Sequence, residues 1–359
     1  MKRLWLASAL IFTLGLFSLV GIRLLEASGA PTSDTLVIYN WGDYIDPELL
    51  KQFEREYDTK VIYETFDTNE GMLAKIEQGG TTYDVAVPSE YMVEVMKEKE
   101  LLLPLDHTKL PMLQHIDPYF LDLPFDRHNT YSLPYFWGTV GVAYNPKLLE
   151  GQTFESWDDL WDPSLKGRVI VVDSAREVLG VGLNKLGYSL NSKDEREIQQ
   201  AMLELEAFSP NVKAFIGDEV TQLMINEEAA VALTWSGQAA DMMDVNDDIT
   251  FAIPKEGSNI WFDNVVIPKT SRNVEGAHAF IDFLNRPDVA AKNATYVGYA
   301  TANKDALALM DEEITSDERY YPPVNIREQL EGYENPGLKW VGRYNEYFLQ
   351  YKMYTQRIN

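Results

Sequence analysis

The chain alternates short β-branched apolar runs with longer segments in which apolar residues recur every three or four positions. In the first third, the runs that predict strands are 35–39, 61–65 and 83–87. The helices predicted between and after them are one that starts at Pro47 with Asp46 as N-cap, one over 70–78, and one over 89–98 with Ser89 as N-cap. Strands that alternate with amphipathic helices predict βαβ units and a largely parallel α/β sheet.

The pattern continues after a long apolar segment, 133–144, which we interpret as a strand that crosses into a second domain. The later predicted strands are 169–172, 229–234 and a second crossing at 260–267. The later predicted helices are one from Ser174, one around 194–208 and one over 273–284. The length of 359 residues agrees with about two domains.

The N-terminus has the pattern of a targeting segment. Lys2 and Arg3 precede an uncharged, mostly apolar stretch from Leu4 to Ile22, which is about long enough to span a bilayer. Basic residues ahead of such a stretch predict a cytoplasmic N-terminus and an exported remainder. Glu26 stands beside the small residues at 27–30 that could form a cleavage site, so we favour an uncleaved membrane anchor over a cleaved signal. Residues 1–33 are thus predicted to be a signal or anchor segment with a linker, and the rest is predicted to be extracytoplasmic, at the cell surface or in the periplasm.

Composition excludes several classes of function. The formal net charge of −25 argues against a nucleic-acid partner. The absence of cysteine excludes disulfides, thiolate catalysis and cysteine-ligated zinc, and the four histidines are not spaced as metal ligands. The sequence also has no P-loop, Gly-x-Gly-x-x-Gly or Gly-x-Ser-x-Gly motif and no nucleophile–base pair. We therefore predict a protein that is not an enzyme and has no cofactor or metal.

Aromatic residues stand beside polar or acidic residues at the ends of several predicted strands. The blocks with this pattern are 39–44, 87–91, 234–237 and 261–263. In open α/β sheets the ligand lies outside the carboxyl ends of the strands, so these blocks can meet at one cleft. Because aromatic faces and carboxylates both attract cations, such a cleft suits an organic cation.

Candidate residues in these blocks and elsewhere differ in how clearly the local pattern assigns their role. Asp263 stands in an apolar strand, where a carboxylate is costly unless it is paired or faces a wet cleft; it is the strongest candidate. Ser174 and Glu177 fit a capping box, which is the interpretation that the local pattern favours. Tyr320 and Tyr321 could bind ferric iron, although adjacent tyrosines before two prolines more often pack in a core.

In their order and spacing, the blocks resemble the spermidine/putrescine-binding proteins, the extracytoplasmic receptors of polyamine ABC transporters. The resemblance runs from about Leu36 to about Met353. The segments that carry it are 37–41, 87–91, 173–178, 261–263 and 297–299.

The resemblance implies a two-lobed type II periplasmic-binding-protein fold with the ligand cleft between the lobes. Lobe 1 would contain 35–138 and 262–308, and lobe 2 would contain 139–261 and 309–355. The residues implied to bind the ligand are Trp41, Asp43, Tyr44, Ser89, Tyr91, Asp173, Glu177, Trp235, Trp261, Asp263, Tyr299 and Tyr333. Asp263 and Glu177 would bind amino groups, and the aromatic residues would pack on the methylene chain, so the resemblance reverses the capping interpretation of Glu177.

Three positions depart from the family pattern. Ser174 stands where some members have a second acid, Tyr333 where relatives have a glutamine, and Asp43 where the family has a longer glutamate. These changes leave the preference between spermidine and putrescine open.

The expected function is that of a receptor that passes a polyamine to ABC permease subunits. The alternatives are a carbohydrate-binding receptor, which also uses tryptophan stacking, and a glycoside hydrolase, which needs a pair of flanking carboxylates.

Overall fold

The computed structural model describes residues 35–217 and 219–358, apart from the side chain of Leu338. The segment 1–33, predicted to be a signal or membrane anchor, lies outside the described residues. Within the described residues, no helix combines the length and the apolar character that crossing a membrane requires.

The described chain is a mixed α/β structure. Its strands are β1 (Thr35–Trp41), β2 (Lys60–Phe66), β3 (Val85–Ala86), β4 (Ser132–Tyr144), β5 (Val169–Val172), β6 (Val212–Ile216), β7 (Val231–Trp235), β8 (Thr250–Ala252), β9 (Ile260–Val266) and β10 (Ala300–Thr301). Its α-helices are α1 (Pro47–Tyr57), α2 (Asn69–Gln78), α3 (Glu90–Glu98), α4 (Ala175–Lys185), α5 (Glu195–Phe208), α6 (Val220–Ile225), α7 (Ser236–Val245), α8 (Val274–Leu284), α9 (Pro287–Val297), α10 (Glu312–Thr315), α11 (Val324–Arg327) and α12 (Leu338–Ile358).

Short 3₁₀ helices fill several of the connections. They are His107–Lys109, Pro111–His115, Pro118–Phe120, Arg127–Asn129, Pro146–Leu149, Trp157–Trp161, Pro163–Leu165, Ser209–Asn211 and Leu307–Leu309.

Several helix starts follow the local sequence. Asp46 accepts a hydrogen bond from the Glu48 backbone N–H at 2.8 Å, and Pro47 opens α1 as predicted. Asn273 caps α8 in the same way through Gly276. Gly79 ends α2 in the left-handed region with φ of 66°, which costs glycine nothing because it has no Cβ.

One continuous sheet runs in the order β2-β1-β3-β9-β4-β7-β5-β6, and β8 and β10 also pair with β4. The β1–β2, β1–β3, β5–β6 and β5–β7 pairs are parallel. The pairs of β9 with β3 and β4, and of β4 with β7, β8 and β10, are antiparallel. The prediction of a largely parallel sheet is therefore wrong for the centre, because the two long crossing strands run against their neighbours.

Strand β4 belongs to both halves of the sheet. Its residues 132–139 pair with β9, and its residues 140–144 pair with β7 and β8. Separate apolar cores lie on either side of this change of partner. One core packs α4, α5 and α12 on β5 and β7, and the other packs α1 and α8 on β1 and β9. The surface between the cores is where the aromatic and acidic blocks meet.

Candidate functional site

Asp263 lies on β9 between the two cores and is only 6% exposed. Its two carboxylate oxygens each accept one hydroxyl: the Tyr44 hydroxyl donates to Oδ2 at 2.6 Å and the Ser89 hydroxyl donates to Oδ1 at 2.6 Å. Burial raises the pKa of Asp263 to about 6, against the opposing effect of these two hydrogen bonds. A carboxylate has about four acceptor sites, so Asp263 can accept further hydrogen bonds. Because Asp263 is buried and its two partners are neutral, a bound cation would stabilise its ionised form.

Ser89 occupies the N-cap position of α3 without capping it through its side chain. Its hydroxyl donates to Asp263 instead, and it accepts a hydrogen bond from Asn69 Nδ2 at 3.0 Å. Asn69 Oδ1 also accepts the Ser89 backbone N–H at 3.1 Å. The predicted side-chain cap is therefore wrong, because the Ser89 hydroxyl is bonded to Asp263 and Asn69 and not to the first turn of α3. Asn69, which the sequence analysis did not identify, holds Ser89 in place.

An aromatic wall adjoins this carboxylate. The Tyr299 ring lies edge-on to Tyr44, with centroids 5.5 Å apart, and edge-on to Trp261, with centroids 5.1 Å apart. Trp41, at the end of β1, packs against Phe66 at 4.5 Å. Faces and edges of these rings can surround an alkyl chain and attract the cationic groups along it.

Gly237 allows the Tyr299 ring to pack directly against α7. A Cβ placed on Gly237, in the first turn of α7, would lie 1.9 Å from a Tyr299 ring atom. Any side chain at this position would therefore push the Tyr299 ring away from α7.

Glu177 forms a second acidic position, at the start of α4. Ser174 precedes the helix but makes no side-chain hydrogen bond to its backbone, so the capping box is not formed. Instead, the Ser174 hydroxyl donates to Glu177 Oε2. Burial raises the pKa of Glu177, while hydrogen bonds from Ser174 and Trp235 and the charge of Arg176 act in the opposite direction. Trp235, at the end of β7, is thereby placed beside Glu177.

Tyr333 meets Glu177 at this end. Tyr333 is 6% exposed, and the Arg176 guanidinium carbon lies 4.2 Å from its ring centroid. Tyr333 and Glu177 line one small cavity together with Asn184 and Asn259. Burial raises the pKa of Tyr333 well above its usual range, and the negative charge of Glu177 adds to this effect.

Tyr91 lies near the Glu177 end. Its hydroxyl donates to Glu70 Oε1 at 3.2 Å. Burial raises the pKa of Tyr91 well above its usual range, and the charges of Glu70, Glu177 and Glu90 contribute to the rise. The effect of the Glu177 charge places Tyr91 within electrostatic reach of that carboxylate.

Two of the twelve candidates lie outside this arrangement. The Asp173 side chain is 41% exposed, and both of its oxygens are bound by Lys352 Nζ, at 2.6 and 2.8 Å. Asp43 is an exposed turn residue with φ of 48°. Of the other ten, five form a connected set around one carboxylate: Tyr44, Ser89, Trp261, Tyr299 and Asp263 itself. Glu177, Trp235 and Tyr333 lie together at the second carboxylate. Trp41 packs on Phe66, and Tyr91 binds Glu70.

Glu90 is a functional candidate that the sequence analysis did not identify. It is 1% exposed, and its carboxylate accepts the backbone N–H of Phe262 at 2.9 Å and of Tyr333 at 3.0 Å. Burial raises the pKa of Glu90 to about 8, despite these hydrogen bonds, and the neighbouring charge of Asp263 adds to the rise. A glutamate in the first turn of a helix usually faces solvent and complements the helix dipole, so the sequence carries no signal of its burial.

The iron alternative has little support in the geometry. Burial raises the pKa of Tyr320 and of Tyr321 to about 12 in each case, which disfavours the phenolate that ferric iron needs. Tyr321 packs edge-on to Trp137 with centroids 6.1 Å apart. Over 35–217 and 219–358, no group of three or more His, Cys, Asp or Glu side chains could hold a metal ion.

Comparisons with known proteins agree with this geometry. Residues 48–322 match the family described as bacterial extracellular solute-binding protein. The chain is 37% identical over 329 residues to the spermidine/putrescine-binding periplasmic protein of Salmonella typhimurium, covering 91% of this chain and 94% of that one.

Solved structures are similar over the same extent. A putative spermidine/putrescine ABC transporter protein from Listeria monocytogenes is 55% identical with a TM-score of 0.85, covering 89% of this chain and 99% of that one. The spermidine/putrescine substrate-binding protein PotD of Streptococcus pneumoniae is 50% identical with a TM-score of 0.83, covering 90% and 99%.

The mixed sheet with its two apolar cores, together with the match to these solved structures, defines a two-lobed binding protein of the periplasmic type, and this prediction of the fold is confirmed. The chain belongs to the family of bacterial extracellular solute-binding proteins. The resemblance to the spermidine/putrescine-binding proteins is likewise confirmed.

Proposed function

We propose that this protein is an extracytoplasmic receptor that closes two lobes around a polyamine and presents it to the permease of an ABC importer. The observation that carries the proposal is the state of Asp263, a desolvated carboxylate held by two neutral hydroxyls beside an aromatic wall. Relatives named for spermidine and putrescine binding support the choice of cation. The protein acts as a carrier and catalyses no reaction.

The lobes are those expected from the family resemblance: 35–138 with 262–308, and 139–261 with 309–355. Strand pairing supports these limits, since β4 exchanges β9 for β7 and β8 after Thr139. The chain then crosses from one lobe to the other near 138–139 and 261–262, next to Trp261 and Asp263. Closure of the lobes would remove the ligand from water at that place.

The contacts support the following residue roles. Asp263 binds one ammonium and Glu177 a second, while the Trp235, Trp261 and Tyr299 rings enclose the methylene chain. Each cation–π contact contributes about 0.5–2 kcal/mol. Because Lys352 neutralises Asp173 and Asp43 is exposed, we assign neither a direct role in binding.

The receptor works outside the cytoplasm, with the segment 1–33 as its signal or membrane anchor. Its partners are the polyamine, the permease subunits and, through that segment, the membrane. Mass spectrometry of the exported protein decides between cleavage and retention of the segment.

Calorimetry on the chain from Asp34 onward tests the function. We expect one-to-one binding of spermidine or putrescine and no heat with a neutral oligosaccharide, which a carbohydrate receptor would bind. Asp263→Asn is the matched control, since it keeps the shape of the side chain and removes the charge. Absence of binding by folded wild-type protein would reject the polyamine assignment.

A further inference from the structure

A short segment, residues 332–335, crosses the molecule beside the candidate site, and we call it the strap. On one side it is fixed to residues of its own proposed lobe. Asn191 Nδ2 donates to the Gly332 carbonyl at 2.9 Å, and Asn191 Oδ1 accepts the Glu334 backbone N–H at 2.9 Å. Arg176 stacks on the Tyr333 ring. The strap therefore moves with lobe 2.

On its other side the strap contacts α3, which belongs to lobe 1. Three glutamates spaced by four residues lie on one face of α3. Glu90 Oε1 accepts the Tyr333 backbone N–H at 3.0 Å, Glu94 Oε2 accepts the Asn335 backbone N–H at 2.9 Å, and Glu98 Oε2 accepts Asn335 Nδ2 at 3.0 Å. Three carboxylates, each one helical turn from the next, thus bind three donors of Tyr333 and Asn335 in the strap.

We infer that these three glutamates are a latch that holds the lobes closed on the ligand. The inference rests on the proposed function, because the lobe limits and the ligand come from it. Glu90, Glu94 and Glu98 are positioning residues, which act on the ligand through the strap and its Tyr333. The innermost of them also accepts the Phe262 backbone N–H at 2.9 Å, next to Asp263, so the latch is connected directly to the site.

The outer two glutamates are suited to bonds that form and break. Glu94 is partly exposed and Glu98 is exposed, so water can solvate both carboxylates when the strap leaves. A carboxylate–amide hydrogen bond is charge-assisted and stronger than a neutral one. The latch therefore stabilises the closed state, and its two outer carboxylates are solvated by water in the open state. Because the ligand leaves from the open state, the latch would slow ligand dissociation.

The test compares Glu94→Ala and Glu98→Ala with Glu54→Ala in the full chain in detergent micelles. Glu54 Oε1 accepts the Val61 backbone N–H at 2.8 Å, so it makes the same type of bond within lobe 1. We expect Glu94→Ala to speed spermidine dissociation about tenfold and Glu98→Ala about threefold, with the melting temperature of the ligand-free protein unchanged. Glu54→Ala should lower that melting temperature and leave the dissociation rate unchanged.

Glu94→Gln provides the rescue, because its amide oxygen can still accept the Asn335 N–H. It should restore most of the slow dissociation. A Glu94→Ala protein that dissociates like the wild type, or that loses stability like Glu54→Ala, overturns the latch and makes these bonds a fixed part of the fold.

A measurement of the distance between the lobes distinguishes an error in the latch hypothesis from an error in the proposed function. Since the chain has no cysteine, Arg55→Cys and Lys166→Cys place one spin label on an exposed site of each lobe. We expect Glu94→Ala to shift the distance distribution toward the open state. Wild-type protein that binds no polyamine would reject the proposed function alone. Identical distributions in wild type and Glu94→Ala, with and without spermidine, would reject the latch.

Discussion

The two acidic ends of the candidate site hold their carboxylates in different ways. Asp263 is bonded by two neutral hydroxyls, and burial dominates its raised pKa. Glu177 is less buried, and the positive charge of Arg176 already lowers its pKa in part. Among the residues that the structure describes, none supplies to Asp263 the positive charge that Arg176 supplies to Glu177.

This difference predicts a division of roles between the ends. A ligand ammonium at Asp263 gains the full interaction with a desolvated carboxylate and so contributes most of the affinity. At Glu177 the gain is smaller, because the positive charge of Arg176 already stabilises that carboxylate in part. Selection among polyamines depends more on this second end, where Ser174 and Tyr333 depart from the family pattern.

Removal of the Asp263 carboxylate should have the largest effect. We expect Asp263→Ala to weaken polyamine binding by about 2–5 kcal/mol, because a buried ammonium loses its charged partner. Calorimetry with spermidine measures the change. An affinity within threefold of wild type would contradict the assignment of Asp263 as the main contact.

The pH dependence of binding should report the same carboxylate. A bound cation stabilises the ionised form, so the pKa of Asp263, about 6 without ligand, falls on binding and the complex holds fewer protons. Affinity is then full above about pH 7 and decreases as the pH falls below about 6, by at most about tenfold per pH unit for one proton. Titrations in buffers of different ionisation enthalpy should detect the released protons. A profile that is equally steep in Asp263→Asn would assign the protons to another group.

Removal of the Asp263 charge should raise the stability of the ligand-free protein, although it lowers the affinity for a polyamine. The folded pKa of Asp263 is raised above its ordinary 3.8 to about 6, so the ionised group destabilises the fold once the pH has risen through both values. Asp263→Asn should therefore stabilise the ligand-free protein by about 1–3 kcal/mol at neutral pH and by less near pH 4. Urea unfolding at the two pH values measures this. Equal gains at both would mean that the charge is not the cause.

A smaller effect is expected at the other acidic end. Glu177→Gln keeps the hydrogen bond to Ser174 and removes the charge, so binding should weaken by about 1–2 kcal/mol. The ratio of spermidine to putrescine affinity should change more than it does in Asp263→Asn. If Glu177→Gln costs as much as Asp263→Asn, the two ends do not differ as proposed.

The smallest effect is expected at Asp173. Its carboxylate is exposed and paired with Lys352, and such surface pairs contribute about 0–1 kcal/mol to stability. Asp173→Ala should leave polyamine affinity within about twofold. A larger loss would show that this carboxylate leaves Lys352 and joins the site.

Sequence alone was sufficient where the signal is local or where one residue contradicts its surroundings. Asp46 and Asn273 cap helices as their positions predict. Asp263 was identified because an acid in an apolar strand needs a partner, and the structure gives it two hydroxyl donors. These assignments depend only on neighbouring residues.

Long-range partners explain the parts that sequence could not give. Ser89 matches an N-cap pattern, yet its hydroxyl binds a carboxylate 174 residues away. The burial of Glu90 depends on two backbone donors, at 262 and 333, that no local pattern connects to it. The antiparallel pairing of β4 and β9 likewise comes from how the lobes join.

The contact of Gly237 with the Tyr299 ring has a consequence for how this chain can diverge over generations. Because a single methyl at 237 would collide with that ring, the two positions can only drift as a pair. A lineage that keeps the aromatic ring of residue 299 in its present place must keep glycine at 237. A lineage that replaces the ring with a small residue is freed to vary 237 as well.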